Sequence, residues 1–277
     1  MQQLKASDIG LLYTEQGSGV PVVFVHGAWM DLRYWEPQRE AIAANYRFVA
    51  YNLRYHGSAT WPDAGEHFSI ATHSADLLAF IRNLNAGPVH LVGLSAGGRL
   101  VTLVALGQPD LVSSLTLLEP PIDELLADMP AAQPVRDEWI KAFEPIRAAA
   151  FGGDTARAAR LFFDLANNQG TGAFDRQPET FRQMVLDNAR TIPLQLLALR
   201  DRPAMSCLAL NGLKERTLVV GGDESPRYLS LINERLVQCI PESRLVVVPR
   251  AAHLMSYQNP SAFNSALLDF LADAASR

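Results

Sequence analysis

Residues 89–97 read Val89-His90-Leu91-Val92-Gly93-Leu94-Ser95-Ala96-Gly97, an apolar run that ends in the only GxSxG string of the chain. Strands buried on both faces of a parallel sheet read as continuous apolar runs rather than as alternations, so Val89–Leu94 is expected to be a central strand. Ala96 to Leu106 is read as the helix that follows. Glycines on both sides of Ser95 let the backbone turn sharply between strand and helix, which lifts the Ser95 hydroxyl above the sheet edge. At that helix N-terminus the Ala96 N–H and the helix dipole are suited to stabilising an oxyanion.

On either side of this stretch, short β-branched runs alternate with longer amphipathic stretches. Val22–Val25 and Arg47–Tyr51 are expected strands flanking a helix near Arg33–Ala44, and Leu115–Leu118 follows the Ser95 helix. Thr217–Val220 and Leu245–Val248 form a last pair, joined by a helix near Pro226–Val237, with a helix over Pro260–Leu271 closing the chain. This alternation predicts an α/β fold, a mostly parallel central sheet flanked by helices. Between Pro121 and Leu213 β-branched runs vanish and helix formers dominate, so residues 1–120 and 214–277 are expected to form the core domain and 121–213 an inserted helical cap. Asp154 is the expected N-cap of a helix over Thr155–Leu165, and Pro178 suits a helix first turn. Trp139, Phe143, Phe162, Phe163, Phe181 and Met184 fall at spacings that let several share a face; most are assigned to the core of the insertion, the rest to whatever it covers.

Composition narrows the possible functions. Of 277 residues 48% are hydrophobic and 19% charged, with a formal net charge of -5, which disfavours disorder and a cationic nucleic-acid binder. Cys207 and Cys239 have no metal-ligand or CxxC spacing and are expected to be buried thiols. The N-terminal residues lack the basic start and apolar run of a secretory signal, and no apolar run approaches membrane-spanning length. The expectations are a cytoplasmic location, no membrane or nucleic-acid partner, and a small-molecule substrate.

A serine hydroxyl is a weak nucleophile and needs an adjacent base. His90 opens the strand before Ser95 and His73 lies within an amphipathic helix, so both are expected to be structural. His67 sits in a polar loop, and His56, in Asn52-Leu53-Arg54-Tyr55-His56-Gly57-Ser58, is expected to shape a turn. His253 is the candidate base, because Arg250-Ala251-Ala252-His253 lies between the last strand and the last helix, at the carboxyl edge of the sheet where sites gather. His26-Gly27-Ala28-Trp29 directly follows the first strong strand. There the Ala28 N–H is placed to join that of Ala96 in an oxyanion hole and His26 to organise the backbone, while Trp29 is a candidate substrate-binding pocket wall, with ordinary packing as the alternative.

These motifs together resemble the α/β-hydrolases, from the His26-Gly27 loop through the Ser95 elbow to His253, and the order nucleophile, acid, histidine matches that family. Tyr55 departs from the pattern, since many relatives carry glycine there. The triad acid departs further. Most family members place an aspartate three residues after a glycine beyond the penultimate strand; here Gly221-Gly222-Asp223-Glu224-Ser225 puts serine at that position. The acid is therefore expected to be Glu119, at the end of the strand in Leu117-Leu118-Glu119-Pro120-Pro121, with Asp223 as the alternative and Glu224 behind it. Placing a glutamate after this strand resembles zearalenone-type lactonases. The resemblance implies a serine hydrolase that cleaves a carboxylic ester or lactone of an apolar small molecule through an acyl-enzyme, with no cofactor and no metal. Carbon–carbon bond hydrolases, thioesterases and perhydrolases use the same triad, and a ligand receptor on this fold is a reading from another class.

Overall fold

The computed structural model describes residues 1–275 of the chain. One eight-stranded sheet runs through it in the order β1-β2-β4-β3-β5-β6-β7-β8. The strands are β1 (Gln2–Ala6), β2 (Ile9–Gln16), β3 (Pro21–Val25), β4 (Arg47–Tyr51), β5 (Val89–Leu94), β6 (Val112–Leu118), β7 (Arg216–Gly222) and β8 (Ser243–Val248). β1, β2 and β4 pair antiparallel, and every other pairing is parallel. The expected α/β architecture holds, and β5 sits in the sheet interior with all six residues buried.

The β1–β2 hairpin was not legible in the sequence. β1 is largely exposed and carries no β-branched residue, and the chain turns at Ser7, whose φ is 51°. The edge pairing supplies backbone hydrogen bonds, while Ala6, Leu11 and Tyr13 cover one side of the core. Such half-solvated edge strands leave a weak apolar signature.

Helices cover both faces. They are α1 (Glu36–Ala43), α2 (Ile70–Leu84), α3 (Ala96–Gly107), α4 (Gln133–Phe151), α5 (Thr155–Ala166), α6 (Glu179–Asp187), α7 (Ile192–Ala198), α8 (Cys207–Leu210), α9 (Arg227–Cys239), α10 (Met255–Gln258) and α11 (Pro260–Ala275). Local chemistry sets their ends: Ser69 Oγ accepts from Thr72 N to start α2, Asn85 ends it in the left-handed region, and Asp154 Oδ1 accepts from Arg157 N to start α5. Parallel strands need crossovers, and α1, α2, α3 and α9 supply them. Between β6 and β7 the described chain contains helices and turns only. Phe163, Phe181 and Met184 are buried, whereas Trp139, Phe143 and Phe162 are partly open.

The expectation of two separate thiols is corrected. Cys207 at the start of α8 and Cys239 at the end of α9 form a disulfide. α8 packs on α9 and brings the two Cα atoms to 4.9 Å across a sequence separation of 32, a proximity that spacing alone does not encode. Among the described residues no helix is long and apolar enough to cross a membrane.

Candidate active site

Ser95 occupies the turn between β5 and α3 with φ 51° and ψ -117°, a backbone conformation rare for any residue with a side chain. Its neighbours explain how the turn closes. A Cβ on Gly93 would lie 2.6 Å from Gly97 O, and one on Gly97 would collide with Val25 O and lie 2.5 Å from His26 O. The glycines thus let the start of α3 press against both β5 and the end of β3. Ser95 N donates to Leu118 O at 2.8 Å, which ties the turn to β6. Strain of this kind persists only where the surroundings over-determine it.

The turn after β3 faces the same space. His26 is used up by backbone: its Nδ1 donates to Gly27 O at 2.8 Å, and its Nε2 accepts from Leu53 N at 3.1 Å. Full burial lowers its pKa and keeps it neutral. Trp29 adopts φ 65° and is almost completely buried. Among the described residues neither the Ala28 N–H nor the Ala96 N–H is taken by a backbone acceptor outside regular elements, and Ala96 opens α3, where helix N–H groups lack internal partners. His56 Nδ1 donates to Arg54 O at 3.0 Å, in keeping with a turn-shaping role, and Tyr55 beside it takes φ 72°, a conformation in which glycine is at ease.

Glu119 stands at the end of β6 with φ 43° and 1% exposure. Its Oε2 lies 2.8 Å from His253 Nδ1, and its Oε1 accepts from Gly222 N at 3.1 Å. A carboxylate only accepts, so Nδ1 carries the imidazole proton and Nε2 is left with a lone pair. The space for this contact comes from β7: a Cβ on Gly221 would lie 3.3 Å from Glu119 Oε1, and one on Gly222 would collide with Ala251 O. Asp223 has a different position. Its Oδ1 accepts from Ala251 N at 3.1 Å, and N–H groups of Ala251 and Arg250 hold its carboxyl below the usual range. It buttresses the backbone of the His253 loop and makes no hydrogen bond to the imidazole. Ser225, at the position where an aspartate was sought, has a buried hydroxyl without a partner, and Glu224 is exposed.

Ala28, Trp29, Ser95, Ala96 and His253 line one cavity of about 670 Å³. Aromatic side chains form much of its wall. Trp29 meets Phe162 edge-on at 4.3 Å, and Trp139 stacks on Tyr228 at 4.8 Å with 9° between the ring planes. Ligand pockets commonly occupy about 300–1,000 Å³ and are mostly apolar.

Sequence reasoning did not single out the residues that join the 121–213 segment to the sheet. Arg99, one turn into α3 from Ser95 and almost fully buried, donates to Glu124 through both terminal nitrogens at 3.0 and 2.7 Å. It also reaches Pro121 O at 3.1 Å, and Pro203 O, so one guanidinium holds both ends of the segment. Arg202 pairs with Asp123 at 2.5 Å on the cavity wall. On another side Asn188 donates to Asp31 at 2.8 Å and accepts from Gly57 N at 2.7 Å. A buried arginine four residues after the elbow serine was a signal available in the chain; its partners, up to 104 residues away, were not.

A family model for the alpha/beta hydrolase fold matches residues 20–260. The chain is 26% identical to the putative non-heme bromoperoxidase BpoC of Mycobacterium tuberculosis, over 95% of this chain and 98% of that protein. It is 24% identical to 3-oxoadipate enol-lactonase 1 of Acinetobacter baylyi, over 87% of this chain and 85% of that one. Among solved structures, the esterase EaEST from Exiguobacterium antarcticum superposes with a TM-score of 0.78 at 21% identity, covering 98% of each chain. The enol-lactonase from Burkholderia xenovorans LB400 superposes with a TM-score of 0.77 at 20% identity, covering 98% of this chain and all of that one. Such distant structural likenesses speak to the fold, and with the match over residues 20–260 the chain belongs to the alpha/beta hydrolase fold family.

Proposed function

We propose that this protein is a serine hydrolase that cleaves a carboxylic ester or lactone of an apolar small molecule through an acyl-enzyme. The observation that carries this reading is the buried Glu119–His253 pair at 2.8 Å, whose histidine lines the same cavity as the strained Ser95. In the proposed mechanism His253 Nε2 takes the Ser95 proton as Oγ attacks the acyl carbon, and the Ala28 and Ala96 N–H groups receive the developing oxyanion. His253 then protonates the leaving oxygen, and a water activated by the same imidazole releases the acid and restores Ser95. Glu119 holds the productive tautomer and offsets the imidazolium charge. Its placement resembles that of zearalenone-type lactonases. Residues 121–213 act as the cap, whose Trp139, Phe143 and Phe162 line the apolar side of the cavity.

The relatives reported above carry names of different activities, so the bond cleaved is the point to test. Fluorophosphonate labelling should modify the wild type and spare Ser95→Ala; absence of Ser95-dependent labelling would remove the enzyme reading in favour of a receptor. A panel of esters, lactones, thioesters and β-diketones should then give Ser95-dependent turnover of esters or lactones. Activity confined to β-diketones would replace ester cleavage with carbon–carbon bond hydrolysis.

A further inference from the structure

Tyr228 follows Pro226 at the start of α9 and lines the cavity shared by Ser95 and His253. It is 6% exposed, and its ring is held by the near-parallel stack on Trp139, so the side chain has a defined position. Buried phenols nearly always find a hydrogen-bond partner. The Tyr228 hydroxyl bonds no described residue, yet it is not among the sealed, unpartnered atoms, as the Trp29 indole nitrogen is. Tyr228 lines the cavity beside Asp123 and Arg202, and the cavity is the surface to which we assign this hydroxyl. Burial raises its pKa, so it remains a protonated donor.

Four charged side chains act electrostatically on Tyr228. Asp123 and Arg202 pair with each other on the cavity wall, Glu124 pairs with Arg99 and Arg202, and Arg136, whose Nε is buried without a partner, lies outside the cavity lining. The other two charged residues of the lining, Glu144 and Arg147, are exposed and opposite in sign. Among the described residues that line the cavity, a carboxylate therefore meets no uncommitted buried guanidinium, and an ammonium no uncommitted buried carboxylate. A neutral oxygen acceptor satisfies the hydroxyl without disturbing the ion pair.

Resting on the proposed reading of this cavity as the substrate site, we infer that Tyr228 is a specificity-determining donor, selecting neutral esters or lactones that carry a second oxygen acceptor away from the scissile carbonyl. A ketone, ether or hydroxyl on an otherwise apolar body has the required chemistry. The test is equilibrium binding to Ser95→Ala protein, where nothing is turned over. The probes are phenyl octanoate, its oxo derivatives with the ketone at carbon 4, 5, 6 or 7, and the phenyl monoester of octanedioic acid. At least one oxo ester should bind about ten-fold more tightly than phenyl octanoate. The monoester, with its carboxylate, should bind no more tightly than phenyl octanoate. Adding Tyr228→Phe, which keeps the ring on Trp139, should bring the oxo preference to about one. Equal affinity across the series, a preference that survives Tyr228→Phe, or tightest binding of the carboxylate would each overturn the inference. If wild-type protein turns over none of these esters and shows no Ser95-dependent fluorophosphonate labelling while the Tyr228-dependent preference stands, the hydrolase reading fails and the recognition role remains.

Discussion

Replacing Glu119 by glutamine separates the two carboxylates that the loop chemistry offers. The carboxylate accepts two hydrogen bonds, from Gly222 N at 3.1 Å and from His253 Nδ1 at 2.8 Å. A glutamine at this site has one oxygen for these two donors. Gly222 N–H is a fixed backbone donor in a buried position, so the amide oxygen stays on it and the NH₂ group turns to His253. Nδ1 must then accept, the proton moves to Nε2, and the imidazole can no longer take a proton from Ser95. The opposite orientation sets an amide donor against the Gly222 N–H and leaves a buried donor unpaired, at a cost of about 1–3 kcal/mol. The wrong tautomer therefore predominates, and kcat should fall by about 10³ to 10⁴, the known scale of a tautomer error in a serine triad. That fall corresponds to about 4–5.5 kcal/mol of lost barrier reduction. The assay is steady-state hydrolysis of a chromogenic ester, with circular dichroism confirming the fold. In parallel, Asp223→Asn keeps an oxygen for Ala251 N and should cost less than ten-fold. Glu119→Gln retaining a tenth of the activity, or Asp223→Asn losing a thousand-fold, would refute the assignment.

Stability should fall in mild acid. Burial lowers the pKa of His73 to about 3 and of His90 to about 4, and both stay neutral in the folded protein at pH 5. The unfolded chain takes up these protons near pH 6.5, so stability is full above that value and is lost as pH falls towards the folded pKa values. At pH 5 the loss is about 2 kcal/mol per histidine, or about 4 kcal/mol for the pair, and buried His56, packed between His26 and His73, acts in the same direction. Urea unfolding at pH 8 and pH 5 measures this difference, and equal stabilities would contradict it. Gly97→Ala should cost at least about 3 kcal/mol and lower Tm by about 6 °C or more, because the new methyl meets the Val25 and His26 carbonyls rather than a movable side chain. A scanning-calorimetry midpoint within 2 °C of wild type would count against that packing. Joint replacement of Cys207 and Cys239 by serine should cost about 3–4 kcal/mol, from a loop whose ends are separated by 32 residues. Denatured, unreduced protein should show no titratable thiol, and two thiols per chain would exclude the pairing.

How much of this was readable in the chain depends on the range of the information. The β5 strand, the Ser95 turn and the helix after it are local: apolar continuity, two glycines and a helix-forming run occupy consecutive positions, and backbone sterics act over that distance. His253 was legible because a loop between a last strand and a last helix has one place in a parallel sheet. Glu119 was legible partly by exclusion, since serine stands where an aspartate was sought. Its contact with His253, however, depends on Gly221 and Gly222 leaving space on β7, about a hundred residues later.

The α/β class, the elbow that strains Ser95, and the short menu of acids and bases are written in the chain, because each follows from the local pattern of side-chain size, charge and backbone freedom. Tertiary structure alone decided that Asp223 serves the His253 loop rather than its imidazole, that Cys207 meets Cys239, that Arg99 clasps both ends of the 121–213 segment, and that Tyr228 stacks on Trp139 in the cavity wall. Each of these is a meeting of groups whose separation along the chain carries no distance information until helices and strands pack. The physical reason is that hydrogen bonds and ion pairs act over a few ångströms, and only the folded sheet brings such distant residues within that range.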